Sequence, residues 1–126
     1  MDYTLQRARI KAIAERWGLA AVVAEDNGMG RPNNEQLRRD NVRIRHFTTM
    51  NSTKADIVET LSAAFEQGAI RIIKNDDLLS ELEAFESERL PSGMVRYAAP
   101  EGMHDDTVMA LALAWSGAQT RFSFGA

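Results

Sequence analysis

Three acidic residues in this chain have the type and placement to do chemistry: Glu25, Asp105 and Asp106. Glu25 closes the apolar run Leu19-Ala20-Ala21-Val22-Val23-Ala24 and opens a polar, glycine-containing turn, Glu25-Asp26-Asn27-Gly28-Met29-Gly30. Asp105 and Asp106 follow the Pro100-Glu101-Gly102 turn and open an Ala/Leu-rich segment. Carboxylates at the ends of different elements are the ligands that hard divalent cations such as Mg²⁺ prefer. Two such ions, about 4 Å apart, activate a water and stabilise the leaving oxygen in phosphodiester cleavage. The same residues also have a structural reading. Asp at a helix start caps free N–H groups and meets the positive end of the helix dipole, and Glu25–Gly28 has the composition of a turn. Spacing alone leaves both readings open. Adjacent residues on a helix point about 100° apart, so one Asp can bind metal while the other caps. Spacing does not say which.

The elements expected to position these acids follow from hydrophobic periodicity. Residues 4–17 predict a helix with Ile10, Ile13, Ala14 and Trp17 on one face, ended by Gly18. Leu19–Ala24 predicts a strand covered on both faces. A short helix over Asn34–Arg39 and a strand over Val42–Phe47 come next. Thr53-Lys54-Ala55-Asp56 resembles a capping box opening a helix with Ile57, Leu61, Ala64 and Phe65 inward, as far as Gly68. Ala69–Ile73 predicts a strand, and Asp76–Ser87 a helix with Leu78, Leu79, Leu82 and Phe85 inward. Pro91–Gly93 predicts a turn, Met94–Ala98 a strand, Asp105–Ser116 the last helix, and residues 117–126 a flexible tail. The alternation is an α/β pattern, read as one domain over residues 1–126. Trp17 and Trp115 are expected in the core.

Composition narrows the function classes. At 126 residues the chain has room for one core. It has no cysteine, which excludes disulfides and thiolate metal sites. No apolar run reaches the roughly 20 residues that span a bilayer, and Met1–Arg7 lacks a signal-peptide core; a cytoplasmic protein with no membrane partner is the expectation. A net charge of −3 argues against a wholly basic nucleic-acid binder but leaves room for a local basic patch. Arg31, Arg38, Arg39, Arg43 and Arg45 form the densest basic stretch. With Lys54 they suit either a DNA backbone or a solvated face. His104 suits a general acid/base role or a plain loop position, and His46 a structural one. Gly28-Met29-Gly30 lacks the third glycine and the Lys-Ser/Thr ending of a nucleotide loop.

The order of these segments resembles the carboxyl-terminal nuclease domain of phage large terminase subunits. The matching features are Val22–Gly30, Glu35-Gln36-Leu37-Arg38, Ser52-Thr53-Lys54, Ile70–Ile73 with Leu78–Leu82, and above all His104-Asp105-Asp106 opening Thr107–Ala114. The resemblance covers most of residues 5–118. It implies an RNase H-like three-layer α/β/α fold lacking its leading strands, and a hydrolase that cuts concatemeric DNA during bacteriophage or prophage genome packaging. It implies Mg²⁺ or Mn²⁺ as cofactor, with Glu25, Asp105 and Asp106 as catalytic, metal-ligating residues. Arg31, Arg38, Arg39 and Lys54 are the residues expected to contact DNA. The implied partners are double-stranded DNA, the terminase ATPase domain, the small terminase subunit and the portal, in the bacterial host cytoplasm. The family's first catalytic Asp lies on a leading strand without a counterpart here, and Asp2 has no strand-like surroundings. The expectation is an N-terminally truncated domain, weakly active or inactive alone, that self-associates through an exposed strand edge. A non-catalytic interaction module and another RNase H-like nuclease, such as a junction resolvase, are the alternatives.

Overall fold

A computed structural model describes residues 3–18, 20–28 and 30–124. Asp2, Leu19 and Met29 lie outside the described residues. Among the described residues, five helices and four short strands follow the order α1 (Tyr3–Arg16), β1 (Val22–Glu25), α2 (Gly30–Arg39), β2 (Ile44–Phe47), α3 (Asn51–Glu66), α4 (Asp76–Ala84), β3 (Glu86–Arg89), β4 (Val95–Ala98) and α5 (Asp106–Phe124). The chain, read from its sequence as one domain, divides into two compact units, Met1–Thr49 and Met50–Ala126.

In the first unit β1 and β2 pair in parallel, Val22 opposite Ile44 and Glu25 opposite Phe47. Parallel pairing requires a crossover, and α2 supplies it. Leu37 and Val42 from α2 and its exit are buried with Ala14 and Ile44, and Ile10, Val22 and Ala24 pack on that cluster. Burial of a leucine such as Leu37 contributes about 1.5–3 kcal/mol. Gly18 ends α1 at φ 71°, the left-handed conformation expected of it. Trp17 departs from expectation. It is 71% exposed, and Ile13 is 60% exposed, because α1 turns only Ala14 fully inward.

In the second unit Ile57, Val58, Leu61 and Ala64 of α3 are buried, as are Val108 and Ala112 of α5. Phe65, expected inward, is 38% exposed. Helix α3 starts at Asn51, earlier than expected. Thr53 is its third residue, and its Oγ1 accepts from the Met50 N–H at 2.9 Å. Ala69–Ile73 forms no strand. Apolar alternation makes a strand only when a neighbour completes the ladder, and no ladder partner for it exists among the described residues. Helix α4 is capped by Asn75, whose Oδ1 accepts from the Leu78 N–H at 3.0 Å. It ends three residues early because Phe85 turns extended. Glu86–Arg89 is instead a strand, antiparallel to β4. The polar run Glu86-Ser87-Glu88-Arg89 carries no strand signal; the Leu90–Met94 turn and a parallel stack of Phe85 on Tyr97, centroids 6.3 Å apart, make the hairpin. Helix α5 continues through Phe124, into the segment read as a tail; residues 125–126 lie outside the described residues.

Candidate functional site

Glu25 is the last residue of β1 and is exposed. Its backbone is fixed on two sides. The carbonyl oxygen accepts from Asn34 Nδ2 at 3.0 Å. A Cβ on Gly30 would lie 2.6 Å from that same oxygen, so only glycine lets α2 start this close to the strand end. Asn27 clasps the loop after β2, donating to the Thr49 carbonyl at 3.2 Å and accepting from the Thr49 N–H at 3.0 Å. The Glu25 carboxylate itself has no hydrogen bond or ion pair among the described residues.

Its neighbour is the opposite case. The Asp26 side chain is 11% exposed. It meets His46 Nδ1 at 3.1 Å, Arg31 Nε at 3.4 Å and Asn34 Nδ2 at 3.5 Å. Asn34 is itself buried, at 4%. His46 Nε2 lies 2.6 Å from Arg38 Nη2, with donor and acceptor set by the protonation of the imidazole. Burial pushes the Asp26 carboxyl up, but the Asn34 hydrogen bond and the charges of His46 and Arg31 outweigh it and leave its pKa below the usual 3.8.

In the second unit Asp105 stands just before α5, and its carbonyl accepts the Met109 N–H at 2.9 Å, which makes it the N-cap residue. Its side chain does no capping. Asp105 Oδ2 pairs with Lys54 Nζ at 3.1 Å, the two side chains being 26% and 21% exposed. The free N–H groups of Thr107 and Val108 are capped instead by Glu81 Oε1 of α4, at 2.9 and 3.4 Å. Asp106 is the first residue of α5 and is exposed, and its carboxylate has no hydrogen bond or ion pair among the described residues. Lys54 also lies 5.9 Å from the Phe85 ring centre. Tyr97, stacked on that ring, donates to Glu59 at 3.2 Å; burial and then the Glu59 hydrogen bond and charge raise its pKa above 10.0.

Each unit therefore presents an acid doublet with one member tied down and one bare. The structural reading of Asp105 and Asp106 as caps does not hold for their side chains, because Glu81 fills that role. No group of three or more His, Asp or Glu able to hold a metal occurs among the described residues. Of the basic residues expected at DNA, Arg31, Arg38 and Arg39 are exposed on α2, Arg31 in an ion pair with Asp26 and Arg38 donating to the Ile44 carbonyl at 3.2 Å, and the Lys54 ammonium is engaged by Asp105. His104 is exposed in the loop before α5. A cleft of about 430 Å³ between α1 and the start of β2, lined by Lys11, Ala20 and Arg43 among others, opens at the opposite end of the β1–β2 pair from Glu25. The sequence reading missed Asp26, Asn34 and Glu81. A glycine at residue 30 with an Asn one turn on hints at a pinned strand end; nothing local marks Glu81, which acts across 26 residues.

The family described as "Terminase RNaseH-like domain" matches residues 1–117. The chain belongs to this family. It is 34% identical over 112 residues to the large terminase subunit of Thermus phage G20c, an alignment that covers 88% of this chain and 23% of that protein. Crystal structures of the large terminase nuclease from thermophilic phage G20c, one with bound magnesium and one with bound cobalt, superpose with TM-scores of 0.82 at 32% identity. Each match covers 92% of this chain and 62% of the other. The large terminase nuclease domain of Thermus phage P74-26 gives a TM-score of 0.79 at 31% identity, over 92% of this chain and 60% of that one. The chain thus has the RNase H-like terminase nuclease fold, and spans about a quarter of the curated relative and about six tenths of these nuclease domains. The junction-resolvase alternative gives way to the terminase family. No helix among the described residues is long and apolar enough to cross a membrane.

Proposed function

We propose that this chain supplies carboxylate ligands to the metal-dependent endonuclease centre of a large terminase subunit, which cuts concatemeric DNA during packaging. The observation that carries the reading is the pair of acid doublets, in which Glu25 and Asp106 remain bare while their neighbours are engaged. The donor set fits Mg²⁺ or Mn²⁺: exposed carboxylate oxygens and no thiolate. When bound, the cation supplies Lewis acidity and an activated water for phosphodiester hydrolysis. Glu25 and Asp106 are the direct ligands in this reading, and Asp105 is the adjoining carboxylate. Asn34 and Gly30 fix the backbone from which Glu25 projects. Arg31, Arg38 and Arg39 hold DNA phosphates, contacts that position a duplex without reading its sequence. The ATPase domain, the small subunit and the portal are the proposed partners, in the host cytoplasm.

The test is cleavage of supercoiled plasmid by a large terminase subunit carrying this segment, with Mn²⁺. Glu25→Ala and Asp106→Ala are expected to abolish cleavage with unfolding unchanged; full cleavage by either variant would remove that residue from the centre. A non-catalytic interaction module predicts no Mn²⁺ binding at millimolar concentration. Self-association of the 126-residue chain is part of the same reading. β1 pairs on one edge only among the described strands, and Ile13 and Trp17 of the same unit are exposed. Sedimentation velocity is expected to show a dimer, and a monomer at all concentrations contradicts it.

A further inference from the structure

Lys54 is 51 residues from Asp105 in the chain, yet its ammonium sits 3.1 Å from Oδ2 with both side chains largely withdrawn from solvent. Lysine is a compact point charge on a flexible stem. The Phe85 ring, 5.9 Å away, adds a second attraction for that charge. The ammonium thus stands on an oxygen that a divalent cation at this doublet would use, on the residue that precedes the bare Asp106.

We propose that Lys54 is a built-in competitor for the cation: it masks Asp105, so that a divalent ion binds through Asp106 with the neighbouring carboxylate already neutralised. This rests on the metal-binding reading of the Asp105–Asp106 doublet. It assigns the two acids different roles, with Asp106 the open ligand and Asp105 a ligand released only when the lysine moves. Lys54 is then a positioning residue that sets cation affinity, rather than a phosphate contact.

The experiment measures Mn²⁺ dissociation constants of the 126-residue chain by the loss of the free-ion paramagnetic resonance signal, a readout independent of cleavage. Lys54→Met removes the charge and is expected to tighten binding at least about tenfold, a conservative figure for removing a cation a few ångströms from a divalent ion. Lys54→Gln does the same in a side chain that still donates a hydrogen bond, should the methionine variant unfold. Lys54→Arg keeps the charge and leaves binding unchanged. Asp105→Asn cancels the gain from Lys54→Met, a dependence that a merely structural lysine would not produce. Binding that depends on Asp106 but is unaltered or weakened in both uncharged Lys54 variants overturns the masking proposal alone. Absence of binding in every variant, the unmasked ones included, overturns it together with the metal-binding reading.

Discussion

The two acid doublets of this chain are built alike and held differently. In the first unit the engaged acid, Asp26, is gripped by three side chains, one of them a buried asparagine. Its bare neighbour Glu25 projects from a backbone that Asn34 and Gly30 pin. In the second unit the engaged acid, Asp105, has a single side-chain partner among the described residues, Lys54, and the helix start beneath it is capped from another helix by Glu81. The lesson is that an adjacent pair of acids need not act as a pair. At each corner one carboxylate is engaged by neighbouring side chains and the other is bare among the described residues, which is what the proposed cation site uses. The first corner is held by several side chains, whereas the second rests on one lysine at the end of a flexible stem.

The largest expected effect separates the bare acids from the engaged ones. In a terminase large subunit carrying this segment, Glu25→Ala or Asp106→Ala lowers Mn²⁺-dependent cleavage by at least the roughly 100-fold that loss of even an outer-shell partner can cost a metal site. The unfolding midpoint of either variant stays within about 0.5 kcal/mol of the parent, as for other exposed positions. A comparable loss of stability in both would erase the distinction drawn between the doublet members.

Next come the residues that pin the first corner. Asn34→Ala leaves the Glu25 carbonyl without its donor and costs about 1–3 kcal/mol in urea unfolding. Gly30→Ala, forced against that oxygen, costs a similar amount of about 1–3 kcal/mol. If both are silent, the strand end is not pinned as described. Glu81→Ala removes the cap of α5 and costs about 1 kcal/mol, whereas Glu81→Gln, which keeps the accepting oxygen, costs less. A silent Glu81→Ala would take the capping role away from the glutamate.

The smallest effect is on pH dependence. The Asp26 pKa is lowered on folding, so its ion pairs contribute stability above the ordinary carboxylate value of 3.8, and that contribution is lost as pH falls through the folded-state value. Unfolding midpoints measured between pH 7 and pH 3 should therefore fall less steeply in Asp26→Asn than in the parent. An identical slope would show that the network is not ionised as described.

Much of this was legible in the sequence because the signals were local. The run Val22–Ala24 before Glu25 predicts a strand end, and the Ala/Leu period after Asp106 predicts a helix start; both carry their acids where the structure has them. What the sequence hid was set by distant partners. Trp17 reads as core by its period, but α1 buries too little surface to cover it. Ile70–Ile73 reads as a strand, but a strand needs a ladder, and periodicity does not report one. The β3 strand is polar and exists through its hairpin turn and the Phe85–Tyr97 stack. Above all, which acid of each doublet is free depends on Lys54, Glu81, Asn34 and His46, residues 8 to 51 positions away.

The central claim, that Glu25 and Asp106 are the carboxylates left open for a divalent cation, is tested most directly by Mn²⁺ titration of the ¹⁵N-labelled 126-residue chain. Paramagnetic broadening is predicted to begin at the amides around Glu25 and Asp106 and to vanish from each corner with Glu25→Gln or Asp106→Asn respectively. Broadening that centres instead on other acidic residues, or that survives both substitutions, would contradict the account.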